Sequence, residues 1–173
     1  MEDKKRNILF SEEQIKTRVE ELGRQISNDY KGEELYVLPL LRGSFVFGAD
    51  IFKSIDVKAK VGFMTTSSYG NGEISTGNVK VVNDIPDNIE GLNVLIVDDI
   101  VDTGYTMSFA VEHVKKLGAK SVKTCVLLDK PSRRKVEIKP DYCCFEIEDL
   151  FVVGYGLDYH GFYRNVPYVF NWE

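Results

Sequence analysis

The chain has 173 residues, 43% hydrophobic and 28% charged, a composition that predicts one globular domain over 1–173 and excludes fibrous and disordered classes. A formal net charge of -5 argues against nonspecific nucleic-acid binding, which needs many clustered Lys and Arg to neutralise phosphates. No apolar run approaches the roughly 20 residues of a membrane-spanning helix, and MEDKKRNILF does not read as a secretory signal, so a cytoplasmic protein with small-molecule partners, and neither nucleic acid nor membrane as partner, is expected.

Ser11 with Gln14 three residues later forms a capping box, and Ile15, Val19, Leu22 and Ile26 recur at helical spacing, predicting an amphipathic helix that ends at Tyr30 to Gly32. LYVLPL at 35–40 reads as a buried strand, passing through Leu41, Arg42, Gly43 and Ser44 into a helix that ends near Ile55. Val57, Ala59, Val61 and Phe63 alternate with Lys58, Lys60 and Gly62, predicting one half-buried strand running to Thr66. SSYGNGEISTGN at 67–78 has the composition of a functional lid, and a strand resumes at 79–82. A short apolar strand at 93–97, a helix at 105–117 stopped by Gly118, and a strand at 122–128 complete the middle of the chain. FVV at 151–153 also reads as strand. Alternating strands and helices predict an α/β fold with a mostly parallel, doubly wound sheet and antiparallel additions.

Cys125, Cys143 and Cys144 give an odd count with no CxxC and no His at ligand spacing, so three reduced, packed thiols are expected rather than a metal site. The run Lys130, Arg133, Arg134, Lys135 reads ordinarily as a solvated turn.

The chemistry concentrates at 94–107, VLIVDDIVDTGYTM. In open α/β sheets, ligands bind beyond the carboxyl ends of the strands, which is where Asp98 and Asp99 fall. Two adjacent carboxylates in a loop repel unless a cation or a ligand compensates, so a magnesium-linked role is physically reasonable; a pair of capping acids is the ordinary alternative. Asp102, Thr103, Gly104, Tyr105 and Thr106 open the helix at 105, whose free amides and dipole favour a phosphate. By itself DTGxT could be a simple capping turn; joined to VLIVDD it is specific.

VLIVDDIVDTGYT resembles the phosphoribosyl diphosphate signature of type I phosphoribosyltransferases. LLRGSFVFGADI, SSYGNGEISTGNVKV, LLDKPSRR and FVVGYGLDYHGFYRNVPYV look like their counterparts in the hypoxanthine-guanine branch, in the same order. The resemblance implies that fold, with a small hood built from the terminal segments and a mobile lid over about 67–80 that begins at Ser68 and Tyr69. It implies transfer of 5-phosphoribosyl to hypoxanthine or guanine, giving IMP or GMP and pyrophosphate, with Mg2+, by a homodimer or homotetramer.

Residue by residue, 102–106 would hold the 5-phosphate, with Asp98 and Asp99 near the ribose hydroxyls and the metal. Asp102 would be the catalytic base, accepting the proton of purine N7. Arg42 and Gly43 match the pyrophosphate loop, where many members carry Lys before Gly and where a cis peptide can occur; the sequence leaves the isomer open. Arg164 would reach the pyrophosphate. Lys130 would donate to the 6-oxo group, Phe151 would stack on the purine and Val152 would offer backbone groups to it. Asp158 would be a second acid near the purine, linked to a magnesium. Tyr105 replaces a Lys of some members, and its side chain has no assigned role. His113 and His160 are read as surface or packing residues.

A response-regulator receiver domain also carries DD after a strand, but near its N-terminus. Enzymes for xanthine, adenine or a pyrimidine are the closer alternatives, and LLDKP with FVVGYGLD disfavours the last two. A P-loop hydrolase lacks its GxxxxGK[ST] run.

Overall fold

The computed structural model describes residues 5–68 and 79–172. Helix α1, Glu12–Asp29, starts at the expected capping box: the Gln14 amide donates to Ser11 Oγ at 3.2 Å and the Ser11 amide to Gln14 Oε1 at 2.9 Å. Its stripe of Ile15, Val19, Leu22 and Ile26 is fully buried, each side chain contributing about 2 kcal/mol of transfer energy. Strands β2 (Glu34–Leu41), β3 (Lys58–Val61), β4 (Met64–Ser68), β6 (Asn93–Val101), β7 (Ser121–Asp129) and β8 (Tyr142–Glu146) run parallel, and β5 (Val79–Asn83) joins antiparallel to β4. The order is β5-β4-β2-β6-β7-β8, with β3 also on β2.

Alternation along the central strands sorts two cores. Leu35, Val37, Leu95, Val97, Cys125 and Leu127 face α1 and α2 (Phe45–Ser54). Tyr36, Leu38, Val94, Ile96 and Val126 face α3 (Tyr105–Lys116). Helices thus cover both faces of a mostly parallel sheet, which is the predicted α/β architecture.

The terminal segments meet in a separate antiparallel pair, β1 (Arg6–Phe10) with β9 (Val169–Trp172). Among the described residues no helix is long and apolar enough to cross a membrane. All three cysteines are free, and burial raises their thiols, that of Cys143 to about 11.

Three local expectations are corrected. The strand predicted from 57 to 66 is broken at Gly62 and Phe63. The register on β2 is the same on both sides, Val37 opposite Val61 and Leu40 opposite Met64, so pairing lapses without slipping. Val37 turns its carbonyl to the Gly62 amide at 3.1 Å, and Pro39, two residues on, faces the same side with no N–H to offer. Asp98 and Asp99 are not in a loop: β6 continues through Val101, with Asp98 opposite Val126 on β7. The 151–153 segment forms no strand, only an isolated antiparallel bridge of Val153 with Phe170.

Candidate active site

Beyond the carboxyl ends of β2 and β6 lies a cavity of about 300 Å³. It is lined by Arg42 and Gly43, by 98–104, and by Thr106, and so joins the two segments that the sequence assigns to one ligand. The Leu41-Arg42 peptide on its rim is cis. Tyr105 is the first residue of α3 and does not line the cavity.

Asp98 is buried, and its Oδ1 accepts from the Asp99 amide at 3.0 Å; Asp99 Oδ1 accepts from the Ile100 amide at 2.7 Å. Burial, and then the charge of Asp99, push the Asp98 carboxyl well above the usual aspartate range. Burial raises Asp99 too, opposed by the Ile100 amide and the nearby Arg164 guanidinium. A carboxyl raised in the folded state costs stability above that pKa, and the cost fades as pH falls toward the ordinary aspartate range. Asp98→Asn is therefore expected to raise the melting temperature in chelator-containing buffer at about pH 8, and to raise it less at about pH 5. Equal or reversed differences in thermal melts would show that the buried charge is already compensated.

Gly104 sits at φ +89 before α3, which receives no side-chain cap, so the first-turn amides are free to meet an anion. Space forbids a side chain there: a Cβ would lie 2.7 Å from Ile138 Cγ2. Gly43 is fixed from both sides. Its missing Cβ would fall 1.7 Å from Asp99 Oδ2, and its carbonyl lies 2.2 Å from where a Cβ of Gly156 would stand.

Arg164 donates from Nη1 to the Gly156 carbonyl at 2.6 Å and pairs through Nη2 with Asp158 Oδ1 at 2.5 Å. The other Asp158 oxygen accepts from the Gly161 amide at 2.7 Å. Among the described residues no three His, Cys, Asp or Glu side chains converge to hold a metal, so Asp158 does not join Asp98 and Asp99 in such a group.

The residues expected at the purine stand outside the cavity. Lys130 is buried, its amide donating to the Val101 carbonyl at 2.9 Å and its Nζ lying 3.8 Å from Asp149 Oδ1. Phe151 is 59% exposed; its ring stacks with Trp172 at 6.4 Å and meets the edge of Tyr159 at 5.9 Å. Val153 exchanges both backbone bonds with Phe170, and Val152 beside it is buried. Ser68 closes β4, while Tyr69 and the rest of the lid segment to 78 lie outside the described residues. His113 pairs with Asp84 at 2.8 Å, and His160 is exposed against Tyr159.

The basic run after β7 corrects the solvated-turn reading. It leads into a 3₁₀ turn, Pro131–Arg133, that backs the end of β6 and the 102–104 loop. Arg133 Nε donates to Asp102 Oδ1 at 3.0 Å; Arg134 Nη1 donates to the carbonyls of Asp102 at 2.7 Å and Val101 at 3.2 Å, and its Nη2 pairs with Asp129. The Lys135 amide donates to the Thr103 carbonyl at 2.9 Å. These contacts were not readable in sequence, because residues 31 apart share no local pattern. The tandem arginines directly after the strand that pairs with β6 are the one signal that could have found them.

The model of the phosphoribosyl transferase domain family matches residues 6–160. A hypoxanthine-guanine phosphoribosyltransferase of Bacillus subtilis is 46% identical over 162 residues, 94% of this chain and 90% of that protein. A hypoxanthine phosphoribosyltransferase of Salmonella typhimurium is 48% identical over 164 residues, 94% of this chain and 92% of that one. The crystal structure of a hypoxanthine phosphoribosyltransferase from Staphylococcus aureus superposes with a TM-score of 0.94 at 41% identity, covering 99% of this chain and 93% of the other.

Proposed function

The chain belongs to the phosphoribosyl transferase family, and from that premise we propose that it transfers 5-phosphoribosyl from phosphoribosyl diphosphate to N9 of hypoxanthine or guanine, giving IMP or GMP. The observation that carries this reading is the single cavity that joins the Arg42 and Gly43 loop, the buried Asp98 and Asp99 pair and the uncapped start of α3.

The α3 amides and the hydroxyls of Thr103 and Thr106 take the 5-phosphate, and Asp98 and Asp99 the ribose hydroxyls. Arg42, Gly43 and Arg164 receive the pyrophosphate. Lys130 offers the 6-oxo group donors only, Phe151 presents an exposed ring face for stacking and Val152 presents its backbone, with Asp158 alongside. In the chemical step N9 bonds to C1′ while the C1′–oxygen bond to pyrophosphate breaks, and the N7 proton passes to Asp102.

The carboxylates of Asp98 and Asp99 fit Mg2+, which is held through one or two carboxylates together with substrate phosphates; Asp158, already bonded to Arg164 and Gly161, would join only by giving up a bond. When bound, the ion neutralises charge on the leaving pyrophosphate. The lid that the resemblance implies over 67–80 would keep water from the ribosyl centre. The chain acts as one domain in the cytoplasm, a placement that suits its three free thiols, and exposed Phe45, Val61 and Phe63 offer apolar surface for a homodimer or homotetramer.

The test of base choice is turnover with phosphoribosyl diphosphate, magnesium and each of hypoxanthine, guanine, xanthine and adenine. Hypoxanthine or guanine should be converted and adenine should not, since its amino group would leave Lys130 facing another donor. Efficient use of adenine would reassign Lys130.

A further inference from the structure

We infer that Arg133 is a positioning residue for Asp102, holding one carboxylate oxygen so that the other is left for the purine, and tying Asp102 through Asp149 to Lys130. The inference rests on the function proposed above and adds to it a residue outside the cavity.

Asp102 is gripped twice by neighbouring arginines of one short turn. Arg134 takes its carbonyl at 2.7 Å, and Arg133 Nε takes Oδ1 at 3.0 Å. Each arginine has its own anchor, Asp129 for Arg134 and Asp149 for Arg133, the latter through Nη1 and Oδ2 at 3.4 Å. Asp149 then closes the chain with its other oxygen, 3.8 Å from Lys130 Nζ. The Lys130 amide is itself bonded to the Val101 carbonyl, next to Asp102, so the four groups are tied by backbone as well as charge.

This order of charges, Lys130, Asp149, Arg133, Asp102, matches the edge of the base it would face. A 6-oxopurine carrying its proton on N7 presents an acceptor at O6 beside a donor at N7. Lys130 supplies donors for the first and Asp102 an acceptor for the second. An aspartate on a loop end has two free torsions, and a carboxylate that swings loses the aligned approach on which proton transfer depends. The Nε bond to Oδ1 restricts that swing, and Nη1 on Asp149 keeps the guanidinium itself from following it.

Arg133 and Asp102 are each about 40% exposed on the side chain, 39% and 40%, so the pair adds little to folding. That separates a positioning role from a structural one. Arg133→Ala should lower kcat about 3- to 10-fold with KM for phosphoribosyl diphosphate unchanged, and move the melting temperature by less than about 3 °C. Arg133→Lys, which restores the charge and one donor, should recover part of the lost kcat. Arg133→Ala turning over as wild type, or losing kcat and thermal stability together without recovery in Arg133→Lys, would overturn the inference alone. A wild-type protein that forms no nucleotide would overturn the proposed function and this inference with it.

Discussion

Asp102→Asn is expected to lower kcat by about 10²- to 10⁴-fold while leaving KM for phosphoribosyl diphosphate near the wild-type value. Asparagine keeps the shape of the side chain and an oxygen for Arg133 Nε, which lies 3.0 Å from Oδ1 in the native protein. It cannot accept the N7 proton. The loss should therefore appear in the chemical step and not in the fold, because a solvent-screened ion pair adds little to stability. Steady-state kinetics on both proteins decides the matter, and an undiminished kcat would move the base elsewhere in the cavity.

Gly156→Ala should cost about 3 kcal/mol and lower the melting temperature by about 6–12 °C, with a rise in KM for phosphoribosyl diphosphate. Two independent causes act at this position. Gly156 has φ +102, in the region that L side chains avoid, and its Cβ would stand 2.2 Å from the Gly43 carbonyl oxygen. That contact is backbone, so relief requires moving the loop. Gly43 can yield only by pressing on Asp99, whose Oδ2 lies 1.7 Å from its own Cβ position. A strain at Gly156 is thus passed to the Arg42 and Gly43 loop and to the acid pair. Melting and kinetic measurements together test this chain of contacts; a variant with native values for both would break it.

What could be read from sequence was what periodicity and local chemistry encode. The capping box at Ser11, the stripe through Ile26 and the apolar runs of β2, β6 and β7 each carry their signal within a few residues. The extent of β6 was harder, because two adjacent aspartates in a strand contradict its polarity pattern; only pairing with β7 carries the backbone on to Val101. The break at Gly62 needed the neighbouring Pro39, and the pair β1 with β9 joins opposite ends of the chain. The cavity residues at 98–104 and Thr106 were legible because one strand end and the helix start after it gather them. The second layer was not: Arg133 and Arg134 reach the loop across 31 to 33 residues, and Trp172 comes to lie behind Phe151 only through the meeting of the termini. Long-range contacts of this kind leave no period to detect.

The most direct measurement of the central claim is product stoichiometry in one reaction holding the protein, phosphoribosyl diphosphate, hypoxanthine and magnesium. IMP and pyrophosphate should appear in equal amounts, and neither should form when the base is omitted. Pyrophosphate released without IMP, or no product at all, would contradict it.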